Sequence, residues 1–97
     1  MILIYGASGY TGQLCVAEAR RRGLDVVTAS RSAGDRRFTV DAPDLTGAAV
    51  LLNCAGPFSR TAGPLVDACL RAKVHYVDVT GEIAVFEALA AGAAQAR

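Results

Sequence analysis

The sequence has few of the residues on which several classes of protein depend. It contains no tryptophan, one histidine and a single lysine, Lys73, and its net charge is only +1. A nucleic-acid-binding surface is typically strongly basic, so we expect no nucleic-acid partner. Long apolar runs are also missing: 48–52 falls far short of the roughly 20 residues of a membrane helix, so no membrane span is expected.

The cysteines are too few and too scattered for a disulfide framework or a metal centre. Cys15, Cys54 and Cys69 form no CxxC pair, and any disulfide would leave one of them unpaired. We interpret them as small buried thiols of a cytoplasmic protein, and we predict no metal site. No basic region precedes the first apolar run, so a signal peptide is not expected.

The chain is short but rich in apolar residues. Its 97 residues suit one domain, 1–97, and 53% of them are hydrophobic. This apolar excess predicts a buried sheet, and it also favours a homo-oligomer formed through exposed apolar surface.

Glycine and proline divide the chain into apolar strands and amphipathic helices. The predicted strands are 2–5, 25–29, 48–53 and 74–79, and the predicted helices cover 10–22, run from Pro64 in a first turn through Ala72, and continue as a stripe at Ile83, Phe86 and Ala90. This alternation is typical of an α/β fold, here a Rossmann-like, mostly parallel sheet with helices on both faces.

The region between the second and third strands is shortened. Only 30–36 separate the second predicted strand from the β-prone segment 37–40, whereas a parallel crossover needs roughly 10–12 residues. Either 37–40 turns back as an antiparallel edge hairpin, which we favour, or a crossover helix is absent from this chain.

A glycine-rich segment, GASGYTG at 6–12, follows the first strand and opens the first helix. Glycine permits a sharp turn, close approach of the backbone to a pyrophosphate, and tight packing of the helix start. The helix N-terminus adds N–H donors and positive partial charge. No GK[ST] follows, which excludes a P-loop. The motif predicts a dinucleotide site, and a turn of small residues without a ligand is the alternative.

The end of the second strand favours NADP over NAD. An NAD site usually has a carboxylate about 20 residues beyond the glycine loop, but 29–32 read ASRS. The Arg31 guanidinium and two hydroxyls can bind a 2′-phosphate through charge-assisted hydrogen bonds. The alternative is that Arg31 is a solvated turn residue.

Together, GASGYTG at 6–12, ASRS at 29–32 and the run LLNCAGPFSRTAGPLVDACLRAKVHYVDVTGE at 51–82 resemble a known family. They are similar to the NADP-binding N-terminal domain of saccharopine dehydrogenase-like oxidoreductases, a group that includes trans-acting enoyl reductases. The resemblance implies a domain that binds NADP(H) for hydride transfer and is a fragment of a longer protein. Members usually carry a helix after the ASR-like segment and continue into a substrate domain; the segment after ASRS is too short for that helix, and we expect only the cofactor domain within 1–97.

The resemblance also implies which residues bind the cofactor. Gly6, Ser8, Gly9, Tyr10, Thr11 and Gly12 would hold the pyrophosphate, Ser30, Arg31 and Ser32 the 2′-phosphate, and Asn53, Cys54, Ala55, Gly56, Pro57 and Phe58 would line the adenosine-to-nicotinamide side. Residues 78–82 would lie near the nicotinamide. Doubly wound sheets support the same crevice, because ligands bind outside the carboxyl ends of strands where the strand order reverses.

Other polar residues have simpler interpretations, and no catalytic residue is predicted. We assign His75 to the core or a sheet face, Tyr76 to packing, and Asp78 and Glu82 to helix capping rather than acid–base catalysis. The missing Tyr-x-x-x-Lys pair excludes a short-chain dehydrogenase mechanism. An NADP-dependent oxidoreductase and a non-catalytic NADP(H)-sensing module remain the two alternatives.

Overall fold

The computed structural model describes residues 1–79. In that part of the chain, five strands and two helices follow one another: β1 (Ile2–Tyr5), α1 (Tyr10–Arg21), β2 (Val26–Ser30), β3 (Arg36–Arg37), β4 (Val50–Asn53), α2 (Phe58–Ala72) and β5 (His75–Asp78). The predicted stripe at Ile83, Phe86 and Ala90 lies outside the described residues. No helix within 1–79 has the length and apolar character needed to cross a membrane.

All strand pairs are parallel, and the strand order is β3-β2-β1-β4-β5. The chain builds outward from β1 to β3, then returns to place β4 on the other side of β1. The strand order therefore reverses between β1 and β4. The predicted Rossmann-like α/β fold is confirmed, and four of the five strands begin and end within two residues of the predicted positions.

The core consists of two clusters on opposite faces of β1, because successive strand residues point to opposite sides. Leu3 and Tyr5 pack on one face with Leu65 and Cys69 of α2. Ile4 packs on the other face in a cluster that includes two residues from the glycine-rich segment and α1, Ala7 and Val16. One helix thus covers each face, which explains why β1 is ILIY and has no charged residue.

The favoured hairpin between β2 and β3 is wrong. β3 pairs with β2 in parallel, with Ala29 opposite Arg36, and no helix intervenes. Side-chain hydrogen bonds hold the short connection between β2 and β3 in place. Asp35 Oδ2 accepts hydrogen bonds from Thr28 N at 3.0 Å and Thr28 Oγ1 at 3.1 Å. Ser30 Oγ donates to Ala33 O at 2.7 Å. The second alternative, an absent crossover helix, matches the structure.

The predicted start of the second helix is also wrong. α2 begins at Phe58, and Pro64 lies inside it rather than in its first turn. Proline has no N–H, so Pro64 cannot donate to the carbonyl of Arg60 one turn earlier. Burial of Ala62 and Leu65 against the sheet holds this part of the helix despite the lost bond.

Candidate functional site

Two loops lie side by side where the strand order reverses. The glycine loop (residues 6–12) leaves β1, and the β4 loop (residues 54–57) leaves β4. Tyr5 and Asn53 are paired at the ends of these strands, and Cys54 N donates to Tyr5 O at 2.8 Å. The sheet therefore brings together two of the three predicted groups of site residues along one crevice.

The glycine loop contacts the β4 loop so closely that a side chain would not fit at Gly6. Gly6 has φ +77°, and a Cβ there would lie 2.6 Å from Ala55 N. A Cβ at Gly12 would overlap the Gly6 carbonyl oxygen and lie 2.8 Å from Ala7 Cα. Packing within the protein thus requires glycine at both positions.

Gly9 differs from those two glycines. Its backbone is extended at φ −77°, and a Cβ there would make an ordinary contact with Gly6 O at 3.5 Å. The fold itself does not require glycine at this position. The lack of a side chain leaves the space in front of the α1 N-terminus open.

The first turn of α1 offers unpaired donors to that space. The first helical hydrogen bond runs from Gln13 N to Gly9 O at 2.9 Å, so the amides of Tyr10, Thr11 and Gly12 have no partner within the helix. No side chain caps the helix, and no acidic residue lies in its first turn. The positive end of the helix dipole is therefore available to an anion.

The glycine loop is held in place by neighbouring groups. Gln13 Nε2 donates to Ser8 O at 2.8 Å, and Gly6 N and Ala7 N both donate to Ala29 O, at 2.8 and 3.2 Å. The bonds to Ala29 also join the loop to the end of β2. The exposed residues Ser8, Tyr10 and Thr11 thus project from a fixed backbone.

The third predicted group follows β2 on the other side of β1. Arg31 and Ser32 are exposed, and Arg31 has no ion-pair partner among residues 1–79. Ser30 is buried, and its hydroxyl bonds to the backbone of Ala33. Ser30 thus shapes this turn, while Arg31 and Ser32 are accessible. Burial raises the pKa of the Tyr5 hydroxyl, and the positive charge of Arg31 acts in the opposite direction.

A hydrogen-bond network fixes the β4 loop. Asn53 is 0% exposed; its Nδ2 donates to Thr61 Oγ1 at 3.0 Å and to the Tyr76 hydroxyl at 3.1 Å. Its Oδ1 accepts from Ala55 N at 3.0 Å. Thr61 Oγ1 donates to Ala55 O at 2.8 Å, and the Tyr76 hydroxyl donates to Asp78 Oδ2 at 2.8 Å. Asn53 therefore supports the crevice from beneath.

Sequence reasoning missed Thr61 and the polar role of Tyr76. Tyr76 is assigned to packing on sequence grounds, but its hydroxyl belongs to a polar network. Burial raises the pKa of this hydroxyl well above its ordinary value. The hydrogen bond from Asn53 lowers the pKa, and the Asp78 carboxylate raises it further. The available signal was Asn53 itself, because a buried amide at a strand end needs partners. Nothing in the spacing identified which residues these would be.

The remaining residues of the β4 loop present little side chain to the crevice. Gly56 and Pro57 are exposed, with a cis peptide bond between them, and Phe58 begins α2. Burial and the neighbouring Cys15 thiol raise the pKa of Cys54 to about 12. Cys54 therefore stays a neutral thiol at ordinary pH.

The other candidates lie on β5 or beyond it. His75 is exposed on the sheet and does not enter the core. Residues 80–82 of the predicted nicotinamide end, including Glu82, lie outside the described residues. Across residues 1–79, no group of three or more His, Cys, Asp or Glu side chains could hold a metal ion.

Comparison with known proteins gives relatives that are much longer than this chain. No protein-family model matches. A trans-acting enoyl reductase of Mycobacterium ulcerans (strain Agy99) is 31% identical over 106 residues, covering 84% of this chain and 25% of the relative. Proteins of the same name from Mycobacterium tuberculosis and Mycobacterium bovis are 28% identical with the same coverage. The chain thus spans about a quarter of these relatives.

The matched region of those relatives contains residues that this chain lacks, since the 106 aligned positions exceed its 97 residues.

Solved structures with the same fold include two of MoeE5, in complex with NAD and either UDP-glucuronic acid or UDP-glucose. Each has a TM-score of 0.61 and 22% identity, and the match covers 79% of this chain and 35% of MoeE5. At this identity the likeness supports the architecture alone. The chain is a Rossmann-like α/β domain, similar in sequence to part of the trans-acting enoyl reductases.

Proposed function

We propose that this chain is the NADP(H)-binding domain of a saccharopine dehydrogenase-like oxidoreductase. The observation that carries the proposal is the open N-terminus of α1 at Gly9. The first amides of the helix have no partner within the helix, and packing inside the protein does not require glycine at position 9. The relatives to which the chain is similar are named trans-acting enoyl reductases, and a reductase is an oxidoreductase. Bound NADP(H) would supply the hydride.

The pyrophosphate fits the glycine loop. The amides of Tyr10, Thr11 and Gly12 and the exposed hydroxyls of Ser8 and Thr11 provide donors at one helix end. A hydrogen bond to a charged group contributes about 1.5–3 kcal/mol, so a few such bonds account for a stable complex. The β4 loop would form the opposite wall of the crevice, toward the nicotinamide.

The 2′-phosphate fits the exposed turn that follows β2. Arg31 and Ser32 offer a cation and a hydroxyl, and no carboxylate lies among residues 29–32. The nearest acidic residue in sequence, Asp35, lies four positions beyond Arg31, and its Oδ2 is turned toward Thr28, from which it accepts two hydrogen bonds. We therefore propose NADP as the preferred cofactor, with NAD bound more weakly.

Calorimetric titration of the chain with NADPH and NADH tests this preference. We expect tighter binding of NADPH, and we expect Arg31→Ala to weaken it by about 1.5–3 kcal/mol, or roughly 10- to 150-fold, without changing NADH binding. Arg71→Ala is the matched control, because Arg71 is an exposed arginine in the last turn of α2, away from the crevice.

Two results would overturn parts of the proposal. Tighter binding of NADH by the wild-type chain, or an equal loss for both cofactors in Arg31→Ala, would remove the 2′-phosphate role of Arg31. Binding of neither cofactor would remove the dinucleotide site itself.

A further inference from the structure

We propose that Thr61 and Tyr76 are positioning residues that set dinucleotide affinity by fixing, through Asn53, the β4 loop against the glycine loop. The inference rests on the proposed function, since it concerns the far wall of the same crevice. It assigns a role to two side chains that we do not expect to touch the cofactor.

The first step is the orientation of the Asn53 amide. The Tyr76 hydroxyl donates its proton to Asp78 Oδ2 at 2.8 Å, and Thr61 Oγ1 donates its proton to Ala55 O at 2.8 Å. Each hydroxyl has one proton, so toward Asn53 both can only accept. Asn53 must therefore turn Nδ2 toward the two hydroxyls, which leaves Oδ1 facing Ala55 N.

Asn53 and Thr61 together hold the backbone of the β4 loop at Ala55. Asn53 Oδ1 accepts from Ala55 N at 3.0 Å, and Thr61 Oγ1 accepts from Asn53 while donating to Ala55 O. Both polar groups of the Ala55 peptide backbone are thus held by side chains. Because Asn53 is 0% exposed, water cannot take over these bonds.

Ala55 lies directly against the glycine loop. Ala55 lies so close to Gly6 that a Cβ on Gly6 would be 2.6 Å from Ala55 N and 2.8 Å from Ala55 Cα. A small shift of Ala55 therefore changes the width of the crevice directly. Because Thr61 lies on α2 and Tyr76 on β5, the position of Ala55 against Gly6 depends on where these two elements lie.

Two variants remove the acceptors of Asn53 with little change of shape. Tyr76→Phe deletes one hydroxyl, and Thr61→Val deletes the other. We expect each to weaken NADPH binding about tenfold, because a buried N–H loses its partner and the β4 loop moves. Thr61→Ser retains the hydroxyl and should restore affinity close to that of the wild type, which a purely steric role for Thr61 does not predict.

Tyr5→Phe is the matched control for loss of a buried tyrosine hydroxyl. The Tyr5 hydroxyl donates to Phe38 O at 3.3 Å, away from the β4 loop. We expect this variant to lose some stability, measured by urea unfolding, but to bind NADPH as tightly as the wild type. Loss of affinity in Tyr76→Phe without loss in Tyr5→Phe separates positioning from general destabilisation.

An NMR spectrum without cofactor reads the loop directly. We expect the Ala55 amide resonance to shift in Tyr76→Phe and Thr61→Val and to remain in place in Tyr5→Phe. An unchanged Ala55 resonance, or unchanged NADPH affinity in both hydroxyl-deleting variants, overturns the positioning role while the proposed function stands. If the wild-type chain binds no dinucleotide, the proposed function fails, and this inference fails with it.

Discussion

The glycines of the glycine loop serve two different purposes at the scale of single residues. Gly6 and Gly12 are required by contacts inside the protein, whereas Gly9 has room for a methyl group and an ordinary backbone conformation. The proposed dinucleotide would account for glycine at position 9, because a ligand that approaches the backbone leaves no room for a side chain.

Substitution by alanine separates these two purposes. We expect Gly9→Ala to lower the free energy of unfolding by no more than about 1 kcal/mol, the scale of an N-cap change, but to weaken NADPH binding at least tenfold. Gly12→Ala should cost about 1–3 kcal/mol of stability, since its Cβ would overlap the Gly6 carbonyl oxygen. Urea unfolding and calorimetry give the two quantities. Wild-type affinity in Gly9→Ala would refute the role of Gly9.

At the scale of elements, side-chain hydrogen bonds stabilise the connection between β2 and β3, which contains no helix. Thr28 N donates to the carboxylate of Asp35, and Asp35 N donates back to Thr28 Oγ1 at 3.0 Å. This reciprocal pair continues the edge of β2 where a longer β3 would otherwise bond. The two-residue β3 is therefore held parallel to β2 although the connection between them contains no helix.

Removing the Asp35 carboxylate should loosen this edge. We expect faster hydrogen exchange of the Thr28 amide in Asp35→Ala, and no change in Asp25→Ala, an exposed aspartate just before β2. The bonds from Thr28 hold the pKa of Asp35 below its ordinary value. The stabilisation is thus present above the unfolded pKa and is lost as the pH falls through the lowered folded pKa. Unaltered protection of Thr28 in Asp35→Ala would contradict this account.

At the scale of the whole molecule, the two core clusters on either side of β1 hold the sheet and helices together. Leu65 is 0% exposed and carries the contact of α2 with the sheet, whereas Leu70 on the same helix is 67% exposed. The crevice depends on this contact, because α2 also supplies Thr61.

We expect Leu65→Ala to lower the free energy of unfolding by about 2–5 kcal/mol, the usual range for a buried leucine. Leu70→Ala should change it by less than about 0.5 kcal/mol, as is usual for exposed positions. Chemical denaturation followed by circular dichroism measures both variants. Equal losses would show that α2 does not pack on the sheet as described.

The sequence predicted what depends on local pattern. Continuous apolar residues located β1, and the glycine spacing located the turn from β1 into α1. The direction of β3 was missed because it depends on Asp35 bonding back to Thr28, which strand propensity does not record. The start of α2 was missed because proline is more often found at a helix start than inside the helix.

The network beneath the site was beyond reach for a different reason. Asn53 and Tyr76 are 23 positions apart, and only the pairing of β4 with β5 brings them together. The sequence predicts Asn53 at the end of β4, and the family resemblance implies that it lines the cofactor crevice. The structure shows that Asn53 is completely buried and that its Oδ1 accepts a hydrogen bond from Ala55 N in the β4 loop.

Titration of the isotope-labelled chain with NADPH, followed residue by residue by NMR, tests the central claim most directly. We expect saturable changes in the amide resonances of the glycine loop, largest at Gly9, Tyr10 and Thr11, with further changes at Arg31 and the β4 loop. The account is contradicted if millimolar NADPH leaves the glycine-loop resonances unmoved, or shifts only residues remote from the carboxyl ends of β1 and β4.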